Sequence, residues 1–102
     1  MFPRRSISAA PDIANGRLQI ADRLAAGHRA GEVVVLNKKT GRYYKLDDIS
    51  ADLWPLLQQP VSLAEMLPTL SALYEMPSSA LVDDITNLLQ RLVEYGIVEI
   101  QR

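Results

Sequence analysis

The order of elements in this sequence predicts an α+β domain, winged-helix-like, with a three-stranded antiparallel sheet followed by three helices. Three observations carry that expectation. A β-branched run, Glu32 to Asn37, is followed after four polar residues by a second strand-like run, Arg42 to Leu46. From Ile49 to Tyr95 the apolar residues recur at spacings of three and four, the period of helices lying on a core. Proline divides that half into three pieces joined by short loops, the spacing of a helix-turn-helix core.

Residues 1–16 are the least regular, punctuated by Pro3, Pro11, Asn15 and Gly16. They read as a loose arm, or as an arm holding one short edge strand around Ser6–Ala9; residues 17–102 form the folded domain. Leu18, Ile20 and Leu24 fit a strand or a short helical turn, with the strand favoured, and Gly27 to Gly31 reads as a turn. Glu32–Asn37, the polar loop Lys38-Lys39-Thr40-Gly41 and Arg42–Leu46 then make a β-hairpin, with Gly41 where a positive φ is needed.

Asp47 or Asp48 is placed to cap a first helix carrying Ile49, Leu53, Trp54, Leu56 and Leu57. Pro55 removes one backbone donor within it, and Pro60 stops it. Ser62-Leu63-Ala64-Glu65 has the capping-box pattern, and the helix it starts ends before Pro77. Ser78 or Ser79 caps a last helix running to about Tyr95, and Gly96 is its stop. Ile97 to Ile100 is expected as a short extension packed on the core.

At 102 residues the chain supports one domain. It contains no cysteine, which excludes disulfides, thiolate metal sites and thiol nucleophiles. The net charge of −1 provides no global field to attract nucleic acid. No apolar run is long enough to span a bilayer, and the N-terminus lacks the apolar stretch of a secretory signal. A soluble, cytoplasmic protein is expected, with no membrane partner.

Catalytic chemistry has little to stand on. His28, the single histidine, sits in a Gly-rich turn with no nucleophile or orienting carboxylate paired to it, so a solvated loop residue is the better account. Capping explains Asp47 and Asp48 better than metal ligation. Asp83 and Asp84, read as beginning the last helix, are accounted for by its dipole. Lys39-Thr40-Gly41 lacks the flanks of a phosphate loop. No enzyme activity, cofactor or metal is expected. A winged-helix DNA-binding protein is the alternative from another class. Its groove-entering helix would carry Asp83, Asp84 and Glu94 against Arg91 alone, which repels phosphate; Lys38, Lys39, Arg42 and Lys45 give only the hairpin a basic tip.

Protein binding uses what is left. On a wheel of about 100° per residue, Leu81, Val82, Ile85, Leu88, Leu89, Leu92, Val93 and Tyr95 cover an arc of roughly 160°, wider than one core face needs. Either the N-terminal segment covers the excess or it lines a groove. In the return strand, Arg42, Tyr44 and Leu46 alternate with Tyr43 and Lys45. At a sheet edge, its free amides and carbonyls are a template for an incoming strand. The same edge is compatible with a monomer or with a weak or swapped dimer.

Val34 through Asp47, with its Thr-Gly turn and Leu-Asp end, resembles the hairpin of the PqqD-like family, the recognition elements of ribosomally synthesised, modified peptides. Asp52-Leu53-Trp54-Pro55-Leu56-Leu57 is similar to that family's first helix, and Ser62-Leu63-Ala64-Glu65-Met66 to the start of its second. Leu73-Tyr74-Glu75, and Asp83-Asp84-Ile85 through Leu88, Leu89, Leu92 and Tyr95-Gly96-Ile97-Val98, resemble its later helices. The likeness covers about Glu32 to Ile100. It implies a non-catalytic domain that binds a precursor's leader peptide as an added strand and delivers it to a leader protease or other modifying enzyme. The implied site is Arg42, Tyr43, Tyr44, Lys45 and Leu46, facing the last helix. Asp84, Asn87, Leu88 and Arg91 are selected from that helix, at or beyond one margin of its apolar arc. The wheel does not say which margin faces the sheet edge; Thr86 and Val93 occupy the other. Thr40-Gly41-Arg42-Tyr43-Tyr44 most resembles the free-standing leader-binding partner of lasso-peptide biosynthesis, whose leaders carry a Tyr-x-x-Pro-type motif. Pyrroloquinoline quinone biosynthesis, where the domain escorts the precursor, and other peptide-modifying clusters are the remaining settings.

Overall fold

Alternation along the β-branched run organises the first sheet. In the computed structural model, which describes residues 13–29 and 31–101, Val33, Val35 and Asn37 are buried while Glu32, Val34 and Leu36 are half-buried on the other face. This strand, β3 (Glu32–Asn37), is central between β2 (Leu24–Arg29) and β4 (Arg42–Leu46), both antiparallel to it. Val35 lies opposite Ala26 on one side and Tyr44 on the other. The hairpin has the expected bounds, and Gly41 takes a φ of 76° in its turn.

The expected turn over Gly27 to Gly31 is corrected: the chain stays extended through Arg29, and Gly31, at φ 82°, keeps a turning role. Ala25, Ala26 and Gly27 are weak strand formers, but β3 offers partners without a break from Leu24 opposite Asn37 to Arg29 opposite Glu32. A complete ladder outweighs local propensity.

A second three-stranded sheet forms as well. Its centre is β1 (Arg17–Ile20), flanked by β5 (Val61–Ser62) and β6 (Val98–Gln101). The segment expected as a packed extension is thus a paired strand, with Leu18 opposite Ile100 and Ile20 opposite Val98. The edge strand anticipated around Ser6–Ala9 lies outside the described residues.

Among the described residues, besides a helical turn at 13–15, three longer helices follow: α1 (Ile49–Leu56), α2 (Leu63–Tyr74) and α3 (Ser78–Glu94). The capping box at α2 forms, the Ser62 hydroxyl accepting from the Glu65 amide while the Glu65 carboxylate accepts from the Ser62 amide. The other two expected caps do not. Asp48 precedes α1 at φ 52° without a side-chain bond; instead the Ser50 hydroxyl donates to the Asp47 carbonyl at 2.6 Å and accepts from its amide at 3.0 Å. Pro77 takes the cap position of α3, and Ser78 is already helical. Asp83 and Asp84 therefore sit beyond the first turn, which has no acidic residue, so the helix dipole does not account for them as the sequence predicts.

The core runs through both sheets and all three helices. Ile13, Leu18, Val35, Leu53, Leu70, Ile85, Leu89 and Ile97 are completely buried in it. A hydrogen bond from the Tyr74 hydroxyl to Asp52 ties α2 to α1. Burial first, and that bond second, push the Tyr74 phenol up to about 12.

Candidate functional site

Among the described residues no strand pairs with the outer side of β4, so β4 is an edge of its sheet. Alternation divides its side chains. Leu46 is buried and Tyr44 half-buried toward the core, while Tyr43 is 70% exposed and Lys45 is exposed on the opposite face. Lys45 forms an ion pair there with Glu32 at 3.5 Å. Arg42 opens the strand, exposed, its amide donating to the Thr40 hydroxyl at 3.3 Å.

The inner face of β4 meets the end of α3 through two aromatic rings. Tyr44 stacks on Tyr95 with centroids 4.8 Å apart and planes 19° from parallel, an attractive offset-stacking separation. Beside this stack, Asn37 holds the hairpin to the helix. Its carbonyl oxygen accepts from the amides of Lys39 at 3.0 Å and Thr40 at 3.3 Å, and its amide group donates to the Tyr95 carbonyl at 3.4 Å. Gly96 follows at φ 77°, so close that a Cβ there would stand 2.9 Å from the Asn37 Nδ2.

These contacts orient α3. Its buried stripe is Leu81, Ile85, Leu89 and Leu92. At about 100° per residue, Tyr95 shares a flank with Leu88, Asp84 and Arg91, with Asn87 a step further out. Leu88 is half-buried against the core, and Asp84, Asn87 and Arg91 are exposed. The opposite flank, through Val93, lines a cleft of about 800 Å³ with Ala21, Asp22, Arg23, Lys39 and Glu99. The Tyr44 contact thus falls on the margin that holds Leu88 rather than on the Val93 margin. Among the described residues no ion pair joins Asp84 or Arg91 to β4.

The 800 Å³ cleft and a smaller one of about 300 Å³, between the β2–β3 turn and α1, both lie away from the Leu88 flank. Strand addition at an open edge needs no preformed cavity, because the ladder is made by main-chain groups. His28, Glu32 and Asp52 line the smaller cleft. Among the described residues no group of three or more His, Asp or Glu could hold a metal ion, and no helix is long and apolar enough to cross a membrane.

Asn37 and Tyr95 join the hairpin to α3, and neither was singled out as a site residue from sequence. Asn37 had a legible signal, an Asn closing an apolar strand before a polar turn, where its side chain can bond amides two and three residues on.

Among solved structures, the fold is similar to "TbiB1 in Complex with the TbiA(beta) Leader Peptide", with a TM-score of 0.71 and 26% identity over 79% of this chain and 94% of that one. No curated protein matches the sequence. The family model described as coenzyme PQQ synthesis protein D (PqqD) matches residues 32–98, from the first residue of β3 to the first of β6. That match spans most of the described fold, and the chain belongs to the PqqD family.

Proposed function

We propose that this protein captures the leader region of a ribosomal precursor peptide as an extra strand on β4 and presents it to a leader protease or other modifying enzyme, taking no part in the chemistry itself. The observation that carries the reading is the edge Arg42–Leu46, unpaired among the described residues, whose Tyr44 stacks on Tyr95 at the end of α3, in a chain 26% identical to a protein solved with a leader peptide. Main-chain groups of Arg42 to Leu46 supply the ladder. Tyr43, Lys45, Asp84, Asn87, Leu88 and Arg91 supply side-chain contacts. Three or four hydrogen bonds at about 1 kcal/mol net each, with one or two apolar contacts, reach micromolar affinity. The Thr-Gly-Arg-Tyr-Tyr hairpin and the leader-bound structural neighbour support lasso-peptide biosynthesis as the setting.

The test is a titration of ¹⁵N-labelled protein with the TbiA(beta) leader and leaders of Tyr-x-x-Pro type, followed by amide hydrogen exchange. Strand addition shifts the amides of residues 42–46 and protects alternate ones, because only every second amide points off an edge. Shifts confined to other surfaces, or none at millimolar peptide, sink the proposal.

A further inference from the structure

Four cations meet at the tip of the β3–β4 hairpin with no anionic partner among the described residues. Lys38, Lys39 and Arg42 belong to the turn and its exit, and Arg23 joins them because the Lys38 amide donates to the Arg23 carbonyl at 3.0 Å. All four are exposed. The two ion pairs of the described chain, Arg17–Glu65 and Lys45–Glu32, use none of them. Asp22 and Glu99 line the adjacent 800 Å³ cleft with Arg23 and Lys39, yet neither pairs with a cation there. The carbonyl end of α3 does not employ them either. Asn37 takes the Tyr95 carbonyl, and the amides of Tyr95, Gly96 and Ile97 take those of Arg91, Val93 and Leu92.

Protection of an edge against aggregation accounts for charge on a strand such as β4. It does not account for Arg23, Lys38 and Lys39, which lie off that edge. In a chain of net charge −1, a concentration of like charge held at one end is an electrostatic surface for an acidic partner.

Resting on the strand-addition reading, we propose that this tip binds an acidic flank of the same leader peptide. A peptide paired along β4 leaves the edge at Arg42, the first residue of the strand. Crossing from a strand added outside β4 to β2, beside which Arg23 lies, spans three strand spacings, roughly 14 Å. About four extended residues cover that distance. Acidic residues in such a stretch meet Arg42, Lys39, Lys38 and Arg23 in turn. The edge then reads the strand-forming part of the leader and the tip reads the charge beside it.

Peptides built on the TbiA(beta) leader, extended at either end by four Glu, four Gln or four Lys, separate the two layers. Fluorescence anisotropy is expected to give the Glu-flanked peptide about tenfold tighter binding than the Gln-flanked one, as two or three exposed ion pairs supply. The Lys-flanked peptide should bind more weakly than either. The Glu advantage should vanish at 0.5 M salt and in the Lys38→Glu/Lys39→Glu variant. That variant keeps the turn, since backbone amides and Asn37 hold it; unchanged amide shifts outside the tip verify this. Equal binding of all three peptides with shifts at 42–46 overturns the charge proposal and leaves the edge standing. Failure of all three to bind overturns both. Tighter, salt-steep binding of a 20-base-pair DNA duplex would reassign the tip to nucleic acid.

Discussion

Asn37 shows how one polar residue in a core positions a surface. Its side chain is spent in three directions, two toward its own turn and one toward α3, so its burial leaves no carbonyl or amide group unpartnered. Gly96 is its counterpart. The need for glycine there is legible as a helix stop, but the close approach that disfavours a side chain is not, because Asn37 lies 59 positions away and meets it only in three dimensions. Gly96→Ala adds both a left-handed strain and a clash, and is expected to cost about 1–3 kcal/mol in urea denaturation. Asn37→Ala should cost a similar amount through three lost bonds. The two touch, so the double variant should fall short of the sum. Strict additivity would show that the contact does not hold the hairpin to the helix.

The helices differ in how openly they announce themselves. The α2 start was legible because Ser62 and Glu65 satisfy each other's amides with nothing but local chain. The start of α1 falls after Asp48 as the sequence predicts, but without a side-chain cap, since Ser50 bonds Asp47 instead; at α3 the cap position belongs to Pro77 rather than to a serine. The hairpin was read with its true bounds, whereas β2 was not, since its strand character comes from its neighbour. The α2 cap carries a pH signature. The Ser62 amide first, and the Arg17 guanidinium second, hold the Glu65 carboxyl below the ordinary value of 4.5. A group depressed in the folded state stabilises above its unfolded pKa, and loses that contribution as pH falls through the folded one. The gap in stability between the protein and Glu65→Gln should therefore be full at pH 7 and narrow steadily below about 4.5. Chemical denaturation at several pH values measures it, and a gap independent of pH would refute the assignment.

At the scale of the whole molecule, the second sheet is what the sequence concealed. Its strands have two to four residues, and β1 meets partners more than forty positions away, a pairing no local period records. The family match begins at residue 32, yet Ile13 and Leu18, before it, are fully buried in the same core as Val35 and Ile85. The β5–β1–β6 sheet is therefore part of the support on which β4 and α3 are held, although it contributes nothing to the proposed binding edge. Leu18→Ala is expected to destabilise the protein by about 2–5 kcal/mol, the range for emptying a buried leucine site. Because Leu18 does not touch β4's outer side, the fraction that remains folded should bind leader peptide with unaltered affinity. Thermal unfolding and anisotropy on the same preparation separate the two effects. A loss of affinity larger than the unfolded fraction explains would mean that the second sheet shapes the edge directly, and that β4 is set by the whole core rather than by the hairpin and its contact with α3.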